Sequence, residues 1–180
     1  FTTSDIDFSV VRPHDPYKTS NPSIDKILKE LGYMPYFSNN DKAEKYIPAL
    51  ESPGKSLNIE FLCDPGRHTK EPYKIAGLGI VTIPITHQRV LLRNTEILYY
   101  KGIPVVVPRP GYWALHKIAI SQLRKGKNAD LKMMKDLQGA YMVVKFLGEA
   151  EILSISRQFK GKFLRLFQKG WEVLKTLERI

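Results

Sequence analysis

Thr3-Ser4-Asp5-Ile6-Asp7-Phe8-Ser9-Val10-Val11 is the stretch on which the reading of the fold turns. Its alternation has the period of a β-strand, sending Asp5, Asp7 and Ser9 to one face and Ile6, Phe8 and Val10 to the other. Hard divalent cations take oxygen ligands, and two carboxylates on one strand face can share such an ion. A lone D-x-D is common, and a solvated strand end is its everyday explanation. A second acidic strand changes the balance: in Leu57-Asn58-Ile59-Glu60-Phe61-Leu62 the only acid, Glu60, sits amid apolar neighbours. A carboxylate in a central strand needs a partner. With the two strands side by side, Asp5, Asp7 and Glu60 form a cluster whose repulsion asks for metal. Such a donor set suits phosphoryl transfer assisted by two Mg²⁺ ions.

Working outward, Asn21-Pro22-Ser23 opens a helix that runs through about Leu31, with Ile24, Ile27, Leu28 and Leu31 at helical spacing and Gly32 as its stop. Strands are expected over Tyr33–Phe37, Tyr46–Leu50 and Leu57–Cys63, with polar turns at Ser38–Asp41 and Ser52-Pro53-Gly54. Residues 64–74 read as an exposed loop, followed by apolar stretches at 75–85 and 89–92. The Lys101-Gly102 turn joins strands Ile97–Tyr100 and Ile103–Val107, and Pro108-Arg109-Pro110-Gly111 closes an α/β part. Beyond it the period becomes helical: Tyr112–Arg124, Asp130–Leu147, and a basic segment from Glu151 to Glu178 with breaks expected near Gly161 or Gly170. The expected organisation is therefore 1–108 as the catalytic part and 109–180 as a basic helical part.

Charge follows the same division. The formal charge of the 180 residues is +10, and residues 1–108 hold +1 of it while residues 109–180 hold +9. That asymmetry favours a polyanionic partner for the helices, with RNA as the first expectation and a solvated basic surface as the alternative. The single cysteine, Cys63, excludes an internal disulfide framework and fits a reducing, cytoplasmic setting. No apolar run approaches the roughly 20 residues needed to span a bilayer, and no charged-then-apolar leader precedes the first motif, so a soluble protein is expected. Ser52-Pro53-Gly54-Lys55-Ser56 mimics the end of a phosphate-binding loop, but Ala49 stands where the upstream glycine is required and a strand follows. The four histidines lack ligand spacing, and no nucleophile elbow supports a serine hydrolase. Phe159, Phe163, Phe167 and Trp171, four residues apart, read as a packing face.

Thr3-Ser4-Asp5-Ile6-Asp7-Phe8, then Ile59-Glu60-Phe61-Leu62, then Val105 to Lys117 (V-x-V-P-x-P-x-x-x-A-L-H-K), Arg124 and Lys135-Asp136-Leu137 in that order resemble nucleotidyltransferase-fold proteins of the DNA polymerase β superfamily. The likeness is closest to its small bacterial branch with a helical C-terminal tail, and it touches the chain from Thr3 to about Leu147. What the resemblance implies is an α+β fold, a mixed sheet flanked by helices and followed by a helical part. It also implies Mg²⁺ and transfer of a nucleoside monophosphate from a nucleoside triphosphate to a hydroxyl. Matched by position, Asp5 and Asp7 are the paired metal ligands and Glu60 the third carboxylate, where the wider superfamily usually has Asp. Lys117 matches a basic residue near the triphosphate, with Arg124 and Lys135 as further nucleotide-binding basics. The family's helix ending in Gly-Ser or Gly-Gly belongs before the D-x-D strand, and here only four residues precede Asp5. Two alternatives stand beside this reading: a nucleotidyltransferase-fold module that binds nucleic acid or a protein without turnover, and, last, a D-x-D glycosyltransferase.

Overall fold

The computed structural model describes residues 5–10, 23–37, 43–49, 57–64 and 71–177, and the chain divides into two compact units, 1–86 and 87–180. The fold is α+β, with a mixed sheet in the first unit and helices dominating the second. Among the described residues no helix is long and apolar enough to cross a membrane.

The first unit is organised around one strand. β1 (Asp5–Val10), β2 (Tyr33–Phe37), β3 (Ala43–Pro48), β4 (Asn58–Cys63), β5 (Tyr73–Ile75) and β6 (Ile80–Pro84) form a sheet in the order β2-β3-β4-β6-β5, with β1 laid on β4. β1 and β4 pair in parallel over their whole length, from Asp5 with Asn58 to Val10 with Cys63. The other edge of β4 is divided: β3 meets it antiparallel at Ile59, and β6 meets it parallel at Leu62 and Cys63. Two neighbours on one edge oblige the sheet to curl. Alternation sends Ile59 and Phe61 into a core with Tyr46, Ile75 and Ile80, closed by Leu28 of α1 (Ile24–Glu30). Phe8 stacks on Phe61 at 5.7 Å between centroids. The Tyr46 hydroxyl donates to Asp25 Oδ1 at 3.1 Å. Burial, reinforced by that carboxylate, pushes the Tyr46 phenol well above its ordinary pKa.

Boundaries differ from expectation at β3 and β5 in this unit, and in the second unit the strand expected from Ile97 starts at Thr95 and the helix expected over Tyr112–Arg124 spans Pro110–Ser121. β3 starts at Ala43 rather than Tyr46, because pairing with β2 (Tyr36 with Lys45, Phe37 with Ala43) recruits residues that carry no apolar signal of their own. The expected loop at 64–74 ends sooner, since Tyr73 and Lys74 pair with Thr82 and Val81. The turns expected at 38–41 and 52–54 lie outside the described residues.

The second unit begins with a short helix, α2 (Arg89–Arg93), and a separate antiparallel hairpin of β7 (Thr95–Tyr100) and β8 (Ile103–Pro108). Lys101 and Gly102 turn it with φ of +50° and +81°, a two-residue connection of the kind that suits a tight hairpin. Such a turn makes Tyr100 and Ile103 a hydrogen-bonded pair, and the alternation continues to the Arg109 N–H, which donates to the Asn94 carbonyl at 2.8 Å. Pro104 and Pro108 thus fall where a backbone N–H would point away from β7, so neither costs the hairpin a bond.

The helices are α3 (Pro110–Ser121), α4 (Ala129–Leu147), α5 (Glu149–Ser156) and α6 (Gly161–Leu177). α3 is the central rod: Ala114, Leu115, Ile118 and Ala119 are fully buried, packed by Leu137, Ala140 and Val144 of α4, Ile152 of α5, and Phe163, Phe167 and Trp171 of α6. The aromatic series is a packing face, as its spacing predicts. The basic segment breaks between Ser156 and Gly161 rather than at Gly170, which lies inside α6. Gly170 is required by proximity: a Cβ there would stand 2.9 Å from Ile118 Cγ2 and in collision with the Ile118 carbonyl oxygen.

Candidate active site

β1 and β4 position the acidic residues. Their register sets Asp7 opposite Glu60 and Asp5 opposite Asn58, so the pleat brings all four side chains to one face, the reverse of the face that carries Phe8 and Phe61. Neighbouring strands are about 4.8 Å apart, a gap that two carboxylates can bridge onto one ion with oxygen distances of about 2.0–2.6 Å. Asp5 Oδ1 accepts a hydrogen bond from Asn58 Nδ2 at 3.0 Å. Asp7 is exposed, and Asp5 and Glu60 are half-buried. Lys45, one residue from the inward-facing Tyr46, belongs to this polar face, with its Nζ 5.3 Å from the centre of the Tyr36 ring.

Among the described residues no three His, Cys, Asp or Glu side chains stand close enough to form a ready ligand shell. In kind the donors fit a hard divalent cation: all are oxygens, three are carboxylates, and they share one sheet face.

In the helical unit Lys117 and Arg124 share one acid. Lys117 Nζ lies 3.1 Å from Asp136 Oδ1, and Arg124 Nε and Nη2 each lie 2.6 Å from Asp136 Oδ2. The Asp136 side chain is 6% exposed, against 28% for Lys117 and 33% for Arg124. Two cations on one carboxylate leave an excess positive charge at the edge of the α3–α4 contact. Lys117 also lies over Trp113, 5.6 Å from the ring centre. Lys135, next to Asp136 in sequence, is exposed and takes no part in this triad.

Sequence reasoning passed over Asn58 and Lys45. For Asn58 the signal was present, since it stands two residues before Glu60 and so shares its face. For Lys45 it depended on the β3 register, which the local pattern does not reveal.

A family model described as nucleotidyltransferase matches residues 1–160. The chain belongs to this nucleotidyltransferase family. The matched range includes both the acidic strand pair and the Lys117–Asp136–Arg124 triad, and so extends over parts of both units. No curated protein and no solved structure matches the chain.

Proposed function

We propose that this nucleotidyltransferase moves a nucleoside monophosphate from a nucleoside triphosphate to a hydroxyl acceptor, with Mg²⁺ held by Asp5, Asp7 and Glu60. The observation that carries the reading is the parallel register placing Asp7 against Glu60, with Asp5 two residues along the same face. Bound there, divalent cations would neutralise phosphate charge and ease deprotonation of the attacking hydroxyl. Asn58, through its bond to Asp5, sets the resting position of that carboxylate. Lys117 and Arg124 are assigned to nucleotide phosphates, with Asp136 limiting where their charges can stand, and Lys135 is assigned as a further cation. A charge-assisted phosphate contact suits groups that keep about a third of their surface open.

RNA is the proposed acceptor class, and the charge supports it: residues 87–180 carry 18 Lys+Arg against 7 Asp+Glu, while residues 1–86 carry 10 against 11. The test is incubation of the chain with each labelled nucleoside triphosphate, Mg²⁺ and total cellular RNA. Labelled RNA is expected with the wild type, and its loss is expected with a chelator and with Asp7→Asn, which removes charge at nearly constant volume. Undiminished labelling by Asp7→Asn would overturn the assignment of the site.

A further inference from the structure

The hairpin of the second unit carries a surface that the proposed chemistry does not use. Ile97, Leu98, Tyr99, Tyr100, Ile103 and Val106 are each 53–74% exposed. Alternation distributes them over both faces of the ribbon, so the arm is apolar on each side. An isolated two-stranded hairpin is at best marginally stable in water, and apolar patches beyond about 300–600 Å² are uncommon on monomers. At these exposures the six side chains leave roughly 700 Å² open, taking about 150–250 Å² for each aromatic and somewhat less for each aliphatic. A standard interface buries about 800 Å² per partner, and because this surface is divided between the two faces of the ribbon, the backbone edges decide how a second copy would join it.

The two edges of the arm are not equivalent. On β8 the outward positions are Pro104, Val106 and Pro108, and two of these three have no N–H to give. On β7 the outward positions are Thr95, Ile97 and Tyr99, each with an N–H and a C=O that, among the described residues, take part in no strand pairing. Among the described residues β7 pairs with β8 alone. The only charged residues between Thr95 and Pro108 are Glu96 and Lys101, so two arms approach without net repulsion, and a polyanion finds little to bind.

We infer that the hairpin is a self-association arm: a second copy of this chain pairs its β7 edge antiparallel with this one, Ile97 against the second copy's Ile97 and Thr95 against its Tyr99. The arrangement is two-fold and isologous, and it joins the two hairpins into a four-stranded ribbon closed at both outer edges by proline-bearing β8 strands. Each side chain of β7 gains a cross-strand neighbour on its open flank.

Sedimentation equilibrium of the full chain decides this, with a monomer of 20.6 kDa as the reference mass. The wild type is expected at twice that mass. Ile97→Lys and Tyr99→Pro are expected to raise the dimer dissociation constant at least about tenfold. Neither should change far-UV circular dichroism or the melting of the helices, because both residues are exposed and their N–H groups lie outside the hairpin's own ladder. Pro104→Ala, on the closed edge, should leave association unchanged. A wild type that stays monomeric at every concentration would overturn the inference, as would an Ile97→Lys chain that dimerises as tightly as the wild type. Labelling of RNA is a separate readout, so failure here leaves the transferase reading untouched.

Discussion

Gly170→Ala tests whether the central helix contact is understood. In an exposed helix this exchange gains about 1 kcal/mol, because alanine has the higher helix propensity. At Gly170 the sign reverses. The new Cβ would meet Ile118 Cγ2 at 2.9 Å and would overlap the Ile118 carbonyl oxygen, which belongs to the α3 backbone and cannot rotate aside. Relief therefore requires α6 to retreat from α3 by nearly an ångström. Phe167, Trp171 and Leu174, 2–4% exposed, pack on the face that would move away. Each atom pair at optimum distance contributes about 0.1–0.2 kcal/mol, and a gap of 0.5–1 Å forfeits a quarter to a half of it. Over the contacts one buried side chain makes on its facing side, the loss is about 1 kcal/mol, and over three side chains about 3 kcal/mol. Subtracting the propensity gain leaves a net destabilisation of about 2 kcal/mol. Urea unfolding followed by tryptophan fluorescence reads this cleanly, because the only two tryptophans, Trp113 and Trp171, both belong to the helical unit. A midpoint equal to or above that of the wild type would refute the close approach of the two helices.

Asp136→Asn keeps the volume but leaves Lys117 and Arg124 as like charges around a neutral amide, and a loss of about 1–3 kcal/mol is expected in the same assay. The figure lies below that for a fully buried pair because both cations can rehydrate, and high salt should recover part of it. Tyr46→Phe removes the hydroxyl bonded to Asp25 and should lower the stability of the sheet unit by about 1 kcal/mol, read by far-UV circular dichroism. The raised Tyr46 pKa adds a pH signature: the folded chain keeps this proton where the unfolded chain releases it. Its contribution is complete below pH about 10 and declines above it, and the Phe variant should lack that alkaline decline.

The first acidic strand was readable because it alternates strictly, which gave Asp5 and Asp7 a face at once, whereas Glu60 stood out only as the one acid in an apolar run and joined that face through the β1–β4 register. The hairpin was equally plain, with a Lys-Gly turn between two β-rich runs. What stayed hidden depended on distant partners. Tyr73–Ile75 is too short to display a period and became a strand only by pairing with β6. Gly170 has the composition of a helix break but owes its identity to Ile118 on another helix. The burial of Asp136 follows from Lys117 and Arg124, which lie on the far side of a turn, and no local pattern announces it.

β4 supplies Glu60 to the polar face and Ile59 and Phe61 to the core from consecutive positions. A single-residue insertion or deletion inside it would exchange the two faces, driving a carboxylate into the core while turning an aromatic ring toward solvent. Natural variation in this strand should therefore consist of replacements that preserve frame, and a lineage that relaxed its chemistry would still inherit the spacing of the acids as a by-product of folding.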